Sequence, residues 1–334
     1  MHRNEPYLPK SVTGATMESQ NIQHQSAIHS ETMKRIEGGT FMMGSDRHYP
    51  EEAPRQAVHV DGFWMDEAPV TNAEFVTFVE ATGHVTTAEI APDPNDYPGA
   101  LPEMCKPGSL LFTPTDGQVD LRDWSQWWRF EFGVHWRCPQ GVNTNWRDIP
   151  DHPVVHVTNA DAAAYAKWAG KALPTEAEWE YAAWGGAVDC EFAWGNEVEP
   201  NGEHRANVWQ GQFPWQNSCA DGFARTSPVG TYPPNGFGLF DMIGNVWEWT
   251  EDWFSARHAD AAANACCISD NPRGGPKSNS HDRCGGPPIP RKVVKGGSHL
   301  CAPSYCRRYR PAARHPQPID TSTSHIGFRC VRRA

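Results

Sequence analysis

The chain has 334 residues and carries 29 Lys and Arg against 40 Asp and Glu, which gives a formal net charge of −11. This negative charge argues against a general nucleic-acid binder, and no run of about 18 apolar residues is present to span a membrane. The 29 glycines, 29 prolines and 15 tryptophans predict long loops anchored by large aromatic side chains.

The first 35 residues are polar and contain no apolar segment of the kind found in secretory signals. We therefore predict a flexible leader over residues 1–35 and ordered structure over residues 36–334, a length that allows one large domain or two. Ten cysteines are spread along the chain. Without an export signal, most of them are expected to be reduced.

Two strands are predicted near the start of the ordered part: a short apolar strand between the glycines of residues 36–45, and a second strand over residues 57–65. Three helix starts follow, each with a threonine N-cap and, three residues later, an acid that can bond back to the cap. The pairs are Thr71 with Glu74, Thr158 with Asp161, and Thr175 with Glu178. Glycines at positions 83, 170 and 185 predict where these helices end.

Two long irregular spans separate the predicted elements. Residues 84–153 contain the aromatic cluster Trp124, Trp127, Trp128, Phe130, Phe132, Trp136 and Trp146. Structureless loops of this length are rare unless functional, so the span is expected either to wall a binding cleft or to cover the core. Residues 259–290 contain Cys266, Cys267 and Cys284, but no second paired spacing or histidine pattern completes a zinc site.

The sequence lacks the common nucleotide-binding, zincin and hydrolase motifs, but two loops are rich in oxygen donors. Asn207 and Val208 precede Asp221 and Phe223 in one of them, and the other places carboxylates around Gly244. Calcium is held by carboxylate, amide and backbone oxygens. Each loop is therefore either a hard-cation site or a set of turn and cap residues.

The strongest chemical signal is residues 296–310, GGSHLCAPSYCRRYR, where two cysteines stand five positions apart beside three arginines. Nearby cations favour thiolate over thiol, and thiolate attacks, ligates metals and enters redox chemistry. The alternative is a buried pair of small hydrophobic thiols or a disulfide. From residue 291 onwards ten residues are basic and one, Asp320, is acidic; this segment either attracts an anion or packs on acidic neighbours.

Four motifs occur in order along residues 35–333: LPTEAEWEY at 173–181, GNVWEW at 244–249, GGS at 296–298 and GFR at 327–329. They resemble the motifs of the formylglycine-generating enzyme (sulfatase-modifying factor) family, and the Cys301 and Cys306 pair resembles its active members. The resemblance implies an α+β fold, a single C-type-lectin-like domain with low regular secondary structure.

The resemblance also implies a reaction. Such enzymes are copper-dependent oxidases that convert a cysteine in a C-x-P-x-R segment of an unfolded or nascent sulfatase to Cα-formylglycine, using O2 and a thiol reductant. Oxidising a C–H bond with O2 normally needs a redox metal or an organic cofactor, and soft thiolates select Cu(I). The implied partners include no nucleic acid and no membrane, and the implied state is a monomer.

The resemblance assigns roles by position. Cys301 and Cys306 would hold Cu(I), with Ser298 and Trp247 lining the oxygen and substrate pocket and Tyr305 on the same loop as the cysteines. Two structural calcium sites are implied, made by Asn207, Val208, Asp221 and Phe223, and by Asp241, Gly244, Val246 and Glu248. The acids that would receive the substrate arginine are not assigned.

Departures from the family pattern bear on the compartment. Secreted relatives use a disulfide at the position of Cys330, but the partner position is Ala166 here. The two positions of the other disulfide in those relatives are Ala183 and Pro311 in this chain. Without those bridges we predict a cytoplasmic protein. Two alternatives remain: a non-catalytic lectin-like binding paralogue, since scaffold does not determine function, and a sulfoxide-synthase-like non-haem iron domain, which expects an attached helical domain with a histidine triad. The cysteine pair argues against both.

Overall fold

The computed structural model describes residues 33–97, 101–258, 268–282 and 289–333. These residues form three α-helices, α1 (Asn72–Thr82), α2 (Asn159–Trp168) and α3 (Glu176–Trp184). They also form twelve strands: β1 (Met33–Ile36), β2 (Gly39–Met43), β3 (Gln56–Val60), β4 (Phe63–Asp66), β5 (Gly108–Phe112), β6 (Trp128–Phe132), β7 (Trp247–Trp253), β8 (Ser269–Asp270), β9 (Arg291–Lys295), β10 (Arg314–Pro318), β11 (Ile326–Gly327) and β12 (Val331–Arg333). Short 3-10 helices lie at Pro50–Glu52, Thr87–Glu89, Pro94–Asp96, Pro102–Met104, Trp124–Gln126, Trp146–Asp148, Pro200–Gly202 and Lys277–Asn279.

All three helices begin where their capping residues predict. The hydroxyl of each N-cap threonine accepts a hydrogen bond from the backbone N–H of the acid three residues on, and each acid bonds back to the cap. Such reciprocal bonds satisfy donors that the first turn would otherwise leave free. Helices α1 and α3 end at Gly83 and Gly185, whose φ angles of 71° and 56° are left-handed.

The first predicted strand, between the glycines of residues 36–45, is confirmed as β2, whereas the second predicted strand is in fact a pair of strands. Residues 36–45 divide between the end of β1 and β2, and residues 57–65 divide into β3 and β4. The cause is a close approach of two turns: a Cβ on Gly38 would lie 2.7 Å from the Val60 carbonyl oxygen and 2.8 Å from the Gly62 nitrogen. Residues 33–35 of the predicted leader belong to β1, and residues 1–32 lie outside the described part, so the leader remains a prediction there.

The strands form four small sheets, ordered β1-β4-β12, β10-β9-β7-β11, β2-β3-β8 and β5-β6. The four-stranded sheet matters most for the site, because β9 and β10 are antiparallel neighbours and the chain between them is the cysteine segment. That segment is therefore a long loop whose two ends are fixed side by side in one sheet.

The main core packs α1 and α2 against this sheet. Phe75 of α1 stacks on Tyr165 of α2 at 6.0 Å between ring centroids, and Phe328 meets Tyr165 edge-on at 5.3 Å. Three helices, twelve short strands and much irregular chain confirm the predicted α+β class with low regular structure. Within the described residues, no helix is both long and apolar enough to cross a membrane.

The basic C-terminal segment packs on acidic neighbours, which was one of its two predicted states. Three of its arginines form buried ion pairs with glutamates from distant parts of the chain: Arg310 with Glu52, Arg314 with Glu176, and Arg329 with Glu248. Each arginine reaches its glutamate through two nitrogens. Charges buried this way need their partners, since removing one leaves the other uncompensated.

Candidate active site

A glycine pair shapes the start of the cysteine loop. Gly296 and Gly297 have φ angles of 93° and 72°, a region that other residues rarely adopt. A Cβ on Gly297 would lie 2.9 Å from the Arg308 carbonyl oxygen and 2.9 Å from the Tyr309 Cα. The loop can therefore close on its own far end only with glycine at this position.

Backbone turns inside the loop bring the two cysteines together. The Cys301 N–H donates to the Ser298 carbonyl at 2.9 Å, and the Cys306 N–H donates to the Ala302 carbonyl at 2.9 Å. The two Sγ atoms end 3.5 Å apart, well beyond the roughly 2.05 Å of a disulfide. Both cysteines are free thiols in this structure, with Cys301 2% exposed.

The pKa values of the two cysteine thiols are shifted in opposite directions. A hydrogen bond from the Cys301 thiol and the positive charge of Arg308 together lower the pKa of Cys306. Burial, with the neighbouring Cys306 sulfur, raises the pKa of Cys301 well above its usual value. The lowered pKa of Cys306 favours the thiolate at that sulfur, and the raised pKa of Cys301 favours the thiol at the other.

Of the three arginines in the cysteine loop, one lies close to a cysteine sulfur and two bind glutamates elsewhere. The Arg308 Nη1 lies 3.9 Å from the Cys306 Sγ, whereas Arg307 binds Glu191 and Arg310 binds Glu52. The neighbouring cation that the sequence predicts for the thiolate is thus Arg308.

Arg308 is held by two residues that the sequence analysis missed. The Glu51 Oε1 accepts hydrogen bonds from the Arg308 Nη2 at 2.6 Å and from the Arg308 Nε at 3.2 Å. Its guanidinium lies 3.7 Å from the centre of the Tyr49 ring, and the Tyr49 hydroxyl accepts from the Arg307 N–H at 3.0 Å. Tyr49 and Glu51 lie more than 250 positions before Arg308, and the only signal for them is an acidic pair, Glu51-Glu52, that could match the basic segment.

The other predicted pocket residues lie around the thiols. Ser298 is buried, its N–H lies 3.4 Å from the Cys301 Sγ, and its hydroxyl accepts from the Leu300 N–H at 3.2 Å. Trp247 belongs to the same buried cluster as Cys301, with Cys306 packed against that cluster. Tyr305 remains partly exposed on the loop itself.

Part of the long aromatic span forms a wall beside the loop. Trp127 meets Tyr305 edge-on at 5.5 Å, and Phe213 stacks on Tyr305 at 4.5 Å. Trp127 and Leu300 share a buried cluster with Phe112, Trp209 and Phe213. Trp136, by contrast, lies in the main core against Phe75. The span therefore covers the core in one part and packs beside the cysteine loop in another, and its role as the wall of a binding cleft stays a prediction.

The donor set at the loop fits a soft metal ion. Two sulfur atoms 3.5 Å apart, one of them a thiolate, are ligands that select Cu(I) over hard cations. In the part of the chain that the structure describes, no group of three or more His, Cys, Asp or Glu side chains is placed to hold a metal. Cys266, Cys267 and Cys284 lie outside that part.

The first predicted calcium loop fits a hard cation. The Asp221 Oδ1 accepts from the Phe223 N–H at 3.1 Å, whereas its Oδ2 is buried without a hydrogen-bond partner. Burial raises the pKa of Asp221, which indicates a carboxylate that lacks a compensating charge. Asn207 is buried, and its side-chain N–H donates to the Arg225 carbonyl at 2.8 Å. A calcium ion would supply the missing charge.

The second predicted calcium loop fits a cation less well. Both oxygens of Glu248 are engaged, by the Arg329 guanidinium at 2.7 Å twice and by the Trp179 Nε1 at 2.8 Å. Asp241 accepts from the Gly230 N–H at 2.7 Å, and burial raises its pKa to about 6. The backbone of Gly244 and Val246 lies between these acids in sequence. Glu248 thus already has its counter-charge in Arg329.

Comparisons with known proteins agree with this geometry. A family model described as a sulfatase-modifying factor enzyme 1-like domain matches residues 18–334. The chain is 53% identical over 298 residues to a formylglycine-generating enzyme of Mycobacterium tuberculosis, which covers 89% of this chain and 96% of that protein. It is 43% identical over 302 residues to the formylglycine-generating enzyme of Bos taurus, which covers 90% of this chain and 74% of that protein.

More distant similarities extend the comparison. The inactive Cα-formylglycine-generating enzyme 2 of Bos taurus is 33% identical over 309 residues, covering 90% of this chain and 88% of that protein. The solved structure of PvdO from Pseudomonas aeruginosa matches with a TM-score of 0.59 at 24% identity, covering 90% and 94% of the two chains, and so supports the single-domain fold. The chain therefore belongs to the formylglycine-generating enzyme (sulfatase-modifying factor) family.

Proposed function

We propose that this protein is a copper-dependent formylglycine-generating oxidase. Its substrate would be the cysteine of a C-x-P-x-R segment in an unfolded or nascent sulfatase, and its co-substrates O2 and a thiol reductant. The observation that carries the proposal is the thiol and thiolate of Cys301 and Cys306, 3.5 Å apart on a glycine-shaped loop. The 53% identity to a formylglycine-generating enzyme supports the same activity.

The overall reaction balances with two equivalents of reductant. The substrate Cβ–S and one Cβ–H bond are broken and a C=O bond forms, so that one cysteine, one O2 and two thiols give formylglycine, hydrogen sulfide, a disulfide and water. Loss of hydrogen from Cβ gives a thioaldehyde, and water converts it to the aldehyde with release of sulfide.

Cys301 and Cys306 would hold Cu(I), which supplies the one-electron chemistry that O2 requires. The hydrogen bond with Cys301 and the charge of Arg308 lower the pKa of Cys306 and so favour the thiolate form that would bind the metal. Ser298 fixes the turn that aims Cys301 at Cys306. Trp127 and Phe213 pack on Tyr305 and would form an aromatic wall beside the cysteine loop.

The test is aldehyde formation. Purified protein loaded with Cu(I) is incubated with a Cys-x-Pro-x-Arg peptide, O2 and a thiol, and the product is identified by mass spectrometry. Turnover should be lost in Cys301→Ser and in Cys306→Ser and retained in the matched variant Cys105→Ser. Competition with a Cu(I) chelator should show one tight site that requires both loop cysteines. Full activity in either loop variant would refute a two-thiolate copper site.

The same assay separates the alternatives. A non-catalytic binding paralogue would bind the peptide without changing its mass, and a sulfoxide synthase would add oxygen to sulfur rather than remove the sulfur. Both are disfavoured by the cysteine pair, which neither function requires.

We further propose that calcium is structural and binds at Asn207, Val208, Asp221 and Phe223. The unpartnered Asp221 oxygen supports this first site, and the set of Asp241, Gly244, Val246 and Glu248 stays a prediction. A reducing, cytoplasmic setting is also proposed, supported by seven free cysteines in the described residues, among them Cys330 in a core where Ala166 offers no sulfur.

A further inference from the structure

Strand β6 carries an exposed aromatic ridge, made by Trp128, Phe130 and Phe132. Alternate residues of a strand share one face, so these three rings form a row. The Phe130 and Phe132 side chains are each 45% exposed, and their ring centroids are 5.7 Å apart. Large apolar side chains grouped on a surface mark a binding site more often than single ones do.

The outer edge of β6 offers free backbone groups. The bonds from the Thr113 N–H to the Trp127 carbonyl and from the Gly133 N–H to the Pro107 carbonyl, 2.9 Å each, fix the ladder with β5. In this pattern the N–H and C=O groups of the three ridge residues point away from β5. In the described part of the chain, no other strand pairs with β6.

The opposite edge of the same two-stranded sheet is already occupied. The Leu110 N–H donates to the Ser322 carbonyl at 3.2 Å, and the Leu110 carbonyl accepts from the Ser324 N–H at 3.0 Å. A chain that added to this sheet could therefore do so only along β6. An unpaired edge of this kind is a template for an extended peptide.

The ridge begins at the candidate active site. Trp127, the residue before β6, packs edge-on against Tyr305, which is the neighbour of Cys306. The ridge residue Trp128 packs against Phe112, a member of the buried cluster that includes Leu300. From there β6 runs away from the thiols over five residues, a length of about 17 Å.

We propose that β6 binds the polypeptide that flanks the reactive C-x-P-x-R segment, as an added strand whose alternate side chains rest on the aromatic ridge. This proposal rests on the proposed function, because it takes the substrate to be an unfolded chain that continues beyond its motif. Main-chain hydrogen bonds suit such a substrate, since they bind an extended chain whatever its sequence, and the aromatic row adds a preference for apolar alternate residues.

The experiment compares three peptides with the same central Cys-x-Pro-x-Arg segment: a short one, one extended by eight residues at the N-terminus, and one extended equally at the C-terminus. Both extensions alternate Val and Thr. One extension should lower KM about tenfold with kcat unchanged, because it adds binding away from the reacting atoms. In the double variant Phe130→Ser, Phe132→Ser, the extension should no longer lower KM. Its KM and kcat for the short peptide should match those of the unchanged protein.

Two controls identify the cause. Val188→Ser removes an exposed apolar side chain elsewhere, and in this variant the extension should still lower KM. In the extension that lowers KM, N-methylation of every second residue should abolish this effect when the methylated N–H groups face β6. Methylation of the intervening residues, whose N–H groups face away, should leave the effect intact, as strand pairing requires. Retention of the lowered KM with both sets of methylated residues would overturn strand addition.

The proposal also fails if neither extension lowers KM, or if the double variant impairs the short peptide equally. A change in sedimentation of the double variant, with no effect of peptide length, would assign the edge to a second copy of this chain and refute the proposal. Fluorescence anisotropy of labelled peptides carrying Ser for Cys measures the same differences without turnover. If no peptide is converted to aldehyde, the proposed function fails, while this binding measurement still decides the role of β6.

Discussion

Glu51 and Glu52 are adjacent, yet each binds an arginine of the cysteine loop in a different environment. The Glu52 and Arg310 side chains are 0% and 2% exposed and make a two-point ion pair in the interior. The Glu51 and Arg308 side chains are 17% and 20% exposed, and Arg308 also faces the Cys306 sulfur. Neighbouring residues on a short turn point to different sides, so one segment supplies both an anchor for the fold and a charge for the site.

The largest expected effect separates these two pairs by stability. Glu52→Gln leaves the Arg310 charge buried without a counter-charge, which should cost about 3–5 kcal/mol. Glu51→Gln releases an arginine that can still reach water and should cost about 1 kcal/mol or less. Urea unfolding followed by tryptophan fluorescence measures both. Equal losses would show that the two pairs do not differ as their burial indicates.

Calcium extends the comparison to a carboxylate that lacks a cation. Saturating Asp221 with calcium at 100 times its Kd should raise stability by about 2.7 kcal/mol, because the ion binds only the folded state. Asp221→Asn should abolish this gain and stabilise the calcium-free protein. Glu248→Gln should instead lower stability with or without calcium, since it strips Arg329 of its partner. Unchanged melting temperature on adding calcium to metal-free protein would contradict the assignment.

The pH dependence of the calcium-free protein follows from the same group. Burial raises the pKa of Asp221, so between the unfolded and the folded pKa values the folded state binds more protons. The free energy of unfolding of the calcium-free protein therefore falls as pH rises through this window. Bound calcium should remove this fall in stability, and Asp221→Asn should make stability depend less on pH in this window. Melting temperatures measured across pH 4–7 with chelator and with calcium would show the difference.

A smaller effect is expected at the thiolate. Arg308→Gln removes the charge 3.9 Å from the Cys306 sulfur, and we expect the pKa of Cys306 to rise by about one unit, which slows alkylation of copper-free protein roughly tenfold on the acid limb of its pH profile. Because Arg308 lowers the pKa of Cys306, its loss moves the acid limb of alkylation to higher pH. Glu51→Gln should shift the limb in the same direction by less, and Arg308→Lys should restore most of the rate. Identical profiles in all variants would remove Arg308 from the site.

Local signals in the sequence predicted local structure well. The capping pairs at Thr71, Thr158 and Thr175 place the helices because each depends on residues within one turn. The cysteine loop was identified for the same reason, since its glycines, thiols and arginines lie within 15 residues. The division of the predicted strand over residues 57–65 was missed because it depends on Gly38 packing against Gly62, a contact made only after folding.

Long-range partners could not be predicted, and they decide how the site works. Three arginines near two cysteines indicated a thiolate but not which arginine serves it. The answer depends on Glu51, Glu52 and Glu191, which lie in other parts of the sequence. The same limit applies to Glu248, whose carboxylate looked free for calcium in sequence and is bound by Arg329 in the fold.

The smallest effect is expected at Ser298, which contacts the thiols without supplying a ligand or a charge. Its hydroxyl accepts one hydrogen bond, from the Leu300 N–H at 3.2 Å, so Ser298→Ala should slow aldehyde formation by about twofold to tenfold, the value of one such bond. Cu(I) affinity should stay within about twofold, because a hydroxyl is a poor ligand for that ion. Ser304→Ala, on the exposed part of the same loop, is the matched control and should change neither. If Ser298→Ala instead weakened Cu(I) binding as much as a cysteine variant does, the turn rather than the sulfur pair would hold the metal site together.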